Sequence, residues 1–258
     1  MSKVEIIAHR GAWHDAPENT LASISVAWQQ LADAVELDIL LSKDGVIVVT
    51  HDPNTVRTTG NNGEIAKMTL AEIQSLGFMD WKDSAYANER IPTLGSALKE
   101  LPAGKRLLVE IKEDREVILP VLKTVIETSG VHTGQITLIG FNYDIMKAAK
   151  ATMPALGVLW LLAASRVADT VNFPAQLEGM IKLSQEARFE GLNVNYRWPI
   201  DRHLLQRLGD EGLKLYAATV DDASIAHKLV EAGVHGITTN RPLWLREQLQ
   251  KKIAELPH

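Results

Sequence analysis

The sequence predicts a TIM (β/α)8 barrel of the α/β class, with a small insertion after its second strand unit and residues 1–258 forming a single domain. Three observations predict it. Short β-rich apolar runs alternate with amphipathic helical stretches through most of the chain, the pattern of βα units that build a parallel sheet. Eight such units can be counted, the number that closes a barrel. A length of 258 residues with 46% hydrophobic content supplies one core of that size.

Strands are expected at 4–8, 35–40, 106–111, 135–139, 156–161, 191–195, 214–220 and 236–238, each followed by a helical segment, the last over 243–253. The first helix opens at Pro17-Glu18-Asn19-Thr20, a proline ahead of a capping region. The second strand lies in the run Ala34-Val35-Glu36-Leu37-Asp38-Ile39-Leu40-Leu41, apolar apart from two acids spaced so that both leave one face. Ser42-Lys43-Asp44-Gly45 then reads as a turn and 46–50 as a returning strand, so this unit carries a hairpin. Residues 52–91, rich in Asn, Gly and Thr, are too long for a plain βα loop and are expected to form an inserted capping segment. Thr69 and Glu72 mark a capping box before a short helix at 70–76. No further repeat, low-complexity tract or linker interrupts the remaining units.

Composition narrows the chemistry. There are no cysteines, so thiolate nucleophiles, disulfides and thiolate metal sites are excluded, and any metal must sit on oxygen or imidazole. Net charge is -5 and the basic residues are scattered, which gives no footprint for nucleic acid or stable membrane association. No signal peptide or spanning run is legible, so a cytoplasmic protein acting on a small molecule is expected.

The ends of the first three barrel strands carry the chemistry. His9 ends the first strand, Glu36 and Asp38 end the second, and Glu110 with Lys112 ends the third. In a closed barrel these strand ends share one mouth. With neighbouring strands ~4.8 Å apart, Glu36, Asp38 and Glu110 can reach a common ion. An all-oxygen set suits one divalent cation, Mg2+ or Ca2+, rather than zinc. His9 and His51 are expected to act as the catalytic pair, since imidazole exchanges protons near neutral pH. Arg10 and Lys112 add positive charge that an anionic substrate would require. Asn19 is explained locally as part of a helix start, with a substrate-side role held open. His14, His132, His203, His227, His235 and His258 read as structural.

In order along the chain stand His9-Arg10-Gly11, Pro17-Glu18-Asn19-Thr20, Glu36-x-Asp38, Ser42-Lys43-Asp44-Gly45, His51-Asp52, Glu110-Ile111-Lys112, Thr219-Val220-x-Asp222 and Ala232-Gly233-Val234-x-Gly236-Ile237. This ordered set resembles the glycerophosphodiester phosphodiesterases over essentially the whole length. The resemblance implies metal-dependent hydrolysis of substrates such as glycerophosphocholine or glycerophosphoethanolamine to glycerol 3-phosphate and an alcohol. It implies that Glu36, Asp38 and Glu110 hold the metal and that His9 and His51 exchange protons with the attacking and leaving oxygens. It further implies that Arg10 and Lys112 contact phosphate and that Asn19 lies behind the metal ligands or on the phosphate side. Attack by a neighbouring substrate hydroxyl, through a cyclic phosphate, and direct attack by water both stay open.

The chain departs from the family at Ala218, where a tryptophan is usual, and at Asp221, where asparagine is frequent. Trp198, or failing that Tyr196, is expected to fill the space left at Ala218 and wall the substrate pocket. Two rival readings are a phospholipase-like barrel enzyme acting on intact lipids and an inactive phosphodiester-binding protein. The first wants a membrane-binding surface that the sequence does not show. The second should have lost one of His9, His51, Glu36, Asp38 or Glu110, and all are present.

Overall fold

The computed structural model describes residues 4–79, 84–167 and 173–254. The strands are β1 (Glu5–Ala8), β2 (Ala34–Leu41), β3 (Ile47–Val49), β4 (Arg106–Ile111), β5 (Ile136–Gly140), β6 (Gly157–Leu162), β7 (Gly191–Asn195), β8 (Lys214–Ala218) and β9 (Gly236–Thr239). The helices are α1 (Leu21–Gln29), α2 (Val56–Thr59), α3 (Leu70–Gln74), α4 (Leu94–Lys99), α5 (Ile118–Ser129), α6 (Tyr143–Thr152), α7 (Phe173–Glu186), α8 (Arg202–Asp210), α9 (Ala223–Ala232) and α10 (Pro242–Ala254). β1 pairs in parallel with both β2 and β9, so eight parallel strands close into a TIM barrel, while β3 lies antiparallel on β2 as a hairpin arm.

The strands are legible because both of their faces are covered, which demands nearly continuous apolar runs. Their outward residues pack with the helices into one large core that includes Ile24, Leu37, Leu107, Leu122, Val158 and Leu245. Inward residues Ile7, Ala34, Leu108, Ile139, Leu159, Leu161 and Tyr216 form a second cluster that fills the barrel. A third cluster, of Leu40, Val48, Ile65, Ile73 and Ile91, anchors the insertion on the hairpin. Thr69 caps α3, and Glu72 completes the capping box.

One detail of the second unit differs from expectation. Glu36 and Asp38 stand inside β2, not at its end, because β2 runs on to Leu41 to pair with β3. β1 stops pairing at Ala8 opposite Val35, whereas Asp38 still lies opposite Glu110 on β4. The two acids therefore reach the barrel rim on the β1 side although the strand continues past them. β8 is also shorter than expected, ending at Ala218.

Candidate active site

His9 leaves the barrel one residue past β1, its backbone N–H held by the Thr239 carbonyl at 2.8 Å. The chain then turns sharply, with φ of 53° at Arg10 and 80° at Gly11. A Cβ at Gly11 would stand 2.3 Å from the Ser23 hydroxyl, so the close approach of this turn to α1 requires glycine. The turn aims the Arg10 N–H at Glu36 Oε2, 2.9 Å away.

Glu36, Asp38 and Glu110 are buried, and each offers an oxygen within 4.8 Å of the others, so the three could hold a metal ion. Among the described residues, two side-chain cations answer them directly. Lys112 Nζ lies 2.8 Å from Glu110 and 3.8 Å from Asp38, and Arg10 Nε lies 3.3 Å from Asp38. Burial, followed by repulsion from Asp38 and Glu110, pushes the Glu36 carboxyl well above the usual carboxylate range. Burial and Asp38 push Glu110 up to about 7 against the pull of Lys112. Glu36 Oε1 is buried without a hydrogen-bond partner. An all-oxygen set with surplus negative charge and an unsatisfied buried oxygen fits a hard cation.

Asn19, at φ 57°, lies behind this cluster. Its amide donates to Asp38 Oδ2 at 2.9 Å, and its Oδ1 accepts from the Asp38 backbone at 3.2 Å. Of its two expected places, Asn19 takes the one behind the acids and not the phosphate side: it is buried against Asp38, outside the cleft lining, and orients that carboxylate.

The two histidines are supported differently. His9 Nδ1 is 2.7 Å from Asn240 Oδ1, and Nε2 faces Glu36 at 4.0 Å. Burial and the neighbouring Arg10 charge lower its pKa to about 4, so the ring is neutral at pH 7. His51 Nδ1 is 2.6 Å from Asp52, and its Nε2 is 3.1 Å from Lys112 Nζ. Because an ammonium can only donate, Nε2 of neutral His51 accepts from Lys112 and Nδ1 donates to Asp52.

A network that sequence reasoning missed joins these groups to the insertion. Arg57 on α2 donates to Glu18 at 2.6 and 2.7 Å and to Asp52 at 2.5 Å, and Arg10 donates to Glu18 at 2.9 Å. Its partners are far apart in the chain, and one arginine in a polar insertion carries no local signal.

The cleft, about 310 Å³, has His9, Arg10, His51 and Lys112 on one side and Ile139, Phe141 and Leu161 on another. Asn193 and Thr238 also line it, and each has a buried side-chain oxygen without a partner. The expected aromatic wall is misplaced. Trp198 is buried in the outer core, its indole N–H donating to the Ala163 carbonyl at 3.2 Å and its ring meeting Phe173 edge to face. Neither Trp198 nor Tyr196 lines the cleft, although Ala218 does. The tryptophan follows the sharp Asn195–Trp198 turn, which sends its side chain outward to the apolar layer. The ring in the cleft is Phe141, just past β5, with Lys112 Nζ 5.9 Å from its centre.

The described residues of 52–91 do not line this cleft. They border a second hollow of about 320 Å³, which shares His51 and Lys112 with the first and is closed by Pro53, Ile65, Ala66 and the Glu113–Arg115 turn. None of the described histidines read as structural lines the cleft: His132 caps a short turn and His235 accepts from the Leu215 N–H. His258 lies outside the described residues.

A closed parallel barrel whose mouth gathers three acids that could hold a metal, two histidines and two cations has the groups of an enzyme that performs acid–base chemistry on an anionic substrate. The chain matches the sequence profile of the glycerophosphoryl diester phosphodiesterase family over residues 9–243 and belongs to that family as an enzyme. It is 33% identical over 241 residues to YhdW of Bacillus subtilis, covering 92% of this chain and 94% of the relative. It is 30% identical over 255 residues to the glycerophosphodiester phosphodiesterase of Caldanaerobacter subterraneus subsp. tengcongensis, covering 96% and 99%. Among solved structures, a phosphodiesterase of Oleispira antarctica in complex with the product sn-glycerol-3-phosphate superposes with a TM-score of 0.84 at 30% identity, covering 95% and 96%.

Proposed function

We propose that this enzyme uses one divalent cation, Mg2+ or Ca2+, held by Glu36, Asp38 and Glu110, to hydrolyse glycerophosphodiesters to glycerol 3-phosphate and an alcohol. Glycerophosphocholine and glycerophosphoethanolamine are the substrates to test first. The observation that carries this reading is the surplus of three buried carboxylates over two cations at a cleft flanked by two histidines. The glycerol 3-phosphate complex of the Oleispira relative supports the product class.

A bound divalent ion would neutralise charge building on the phosphoryl oxygens and lower the pKa of an oxygen nucleophile. Arg10 and Lys112 bind the remaining phosphate charge and orient the diester. His9, neutral with a free Nε2, accepts the proton of the attacking oxygen; His51, once Lys112 turns to the phosphate and Nε2 takes a proton from solvent, delivers that proton to the leaving oxygen. Asp52 behind His51 stabilises the imidazolium that this second step requires. The second hollow, which opens on His51, takes the alcohol arm, so segment 52–91 caps the site from the side of the leaving group. The reading includes a cytoplasmic enzyme with a diffusible substrate and no nucleic-acid partner. Among the described residues no helix is long and apolar enough to cross a membrane.

The test is a coupled assay for released glycerol 3-phosphate over a panel of glycerophosphodiesters, with EDTA, Mg2+ or Ca2+ added. Release that requires a divalent ion supports the proposal. Full turnover in excess EDTA, or turnover only on diacylated phospholipids, overturns it.

A further inference from the structure

Behind His9 lies a chain of hydrogen bonds that ends on an acid with no part in binding metal or phosphate. We propose that Asp221 is a positioning residue which, through Asn240, fixes the proton of His9 on Nδ1 and leaves Nε2 free to accept. The inference rests on the acid–base reading above.

Asp221 lies in the loop after β8, and Asn240 lies directly after β9, the strand that pairs with β1. Three donors converge on Asp221. Thr239 Oγ1 and the Asn240 backbone N–H reach Oδ1 at 2.7 and 2.8 Å, and the Asn240 side-chain amide reaches Oδ2 at 2.5 Å. A carboxylate accepts and does not donate, so the Asn240 amide must turn its NH2 toward Asp221. Its oxygen then faces His9 Nδ1, 2.7 Å away. That oxygen has no proton to give, so Nδ1 must carry one, and Nε2 presents a lone pair to the cleft beside Glu36. The charge on Asp221 thus decides, two groups away, which ring nitrogen can act as base.

The amide between them matters as much as the acid. A carboxylate in direct contact with Nδ1, as Asp52 is with His51, would stabilise the imidazolium. Asn240 specifies the tautomer without placing a full negative charge against the ring. The two histidines of one cleft are therefore differentiated by what stands behind them.

Asp221→Asn is the discriminating variant. The introduced amide would keep an oxygen for Thr239 and the Asn240 backbone, but its NH2 would face the Asn240 side chain. Asn240 must then flip, presenting its own NH2 to His9 Nδ1 and forcing the proton to Nε2. Asp221 is exposed, so the change leaves the barrel core untouched. A wrong tautomer at an intact site should lower kcat by about 10- to 10³-fold with KM within about twofold. Two-bond 1H–15N spectra of histidine-labelled, Mg2+-loaded protein report the tautomer without any assay of turnover. We expect His9 to be Nδ1-protonated in the parent and Nε2-protonated or mixed in Asp221→Asn. Asn240→Ala, which removes the acceptor, should also yield a mixture and carries the test if the first variant does not fold. A parent His9 already protonated on Nε2, or an unchanged tautomer in both variants, overturns the proposal. Full activity of His9→Ala would instead overturn the acid–base reading, and the spectra would still decide whether Asp221 sets the tautomer.

Discussion

The two ends of the barrel bury charge in opposite ways. At the floor, Arg106 donates to Glu5 at 2.9 and 2.7 Å and to Thr137 at 2.6 Å, and it also reaches the Tyr216 hydroxyl at 3.4 Å. One cation meets one anion, and the neighbouring hydroxyls are matched. At the mouth, three carboxylates face two cations, and buried oxygens of Glu36, Asn193 and Thr238 have no partner. Size does not separate the ends, since the floor encloses a hollow of about 350 Å³ and the mouth one of about 310 Å³. A buried polar cluster that is complete serves the fold; one left incomplete is shaped for something that arrives.

The largest effect that could break this contrast is removal of the divalent ion. Chelation should abolish turnover reversibly. Glu36→Gln should lose most activity while its metal-free melting temperature stays level or rises, because one of three repelling carboxylates is gone. A large drop in that temperature would mean that the mouth acids hold the fold as the floor pair does.

Next in size are the histidines. His9→Ala and His51→Ala should each lower the rate on the order of 10²–10⁴-fold, and the losses should not multiply in the double variant. A p-nitrophenyl diester, whose leaving group needs no proton, should rescue His51→Ala more than His9→Ala. Equal rescue of both would remove the distinction drawn from Asp52 and Asn240.

At the floor the sign reverses. Arg106→Ala strands Glu5 and should cost roughly 1–2 kcal/mol of stability, discounted because the arginine side chain is 30% exposed. Its kcat below the melting transition should match the parent. A loss of kcat without destabilisation would show that the floor communicates with the chemistry.

The smallest effect is a pH dependence of the metal-free protein. Glu110 titrates at about 7 when folded against an ordinary 4.5. Between those values Glu110 binds more protons in the folded state than in the unfolded state, so its own contribution to stability falls as pH rises from 4.5 through 7. It does so against the opposite contribution of His9, whose folded value of about 4 lies below the ordinary 6.5. Thermal melts in EDTA should show the Glu110 decline in the parent relative to Glu110→Gln, and added Mg2+ or Ca2+ should offset it at and above neutral pH. A parent melting temperature that rises relative to Glu110→Gln across the same window would contradict the crowding of acids at the mouth.

Much of the molecule is legible in the linear chain. Parallel strands covered on both faces must be apolar, so eight runs stand out, and charges within them, Glu36, Asp38 and Glu110, stand out in turn. The hairpin and the capping box at Thr69 are readable because turns and caps are local. Trp198 defeats such a reading because its side-chain direction is set by a turn and by the apolar layer behind it. Phe141, the Arg57–Glu18 network and the Asp221–Asn240 contact to His9 are invisible for a related reason: each joins loops brought together only when the strands assemble into the sheet. By itself the sequence determined the barrel and the acids and histidines at its mouth, because periodicity and misplaced charge are properties of neighbouring residues. Tertiary structure alone decided which side chain stands behind which, and so which histidine is backed by a carboxylate and which by an amide. Hydrogen-bond partners 19 and 231 residues apart leave no trace in spacing.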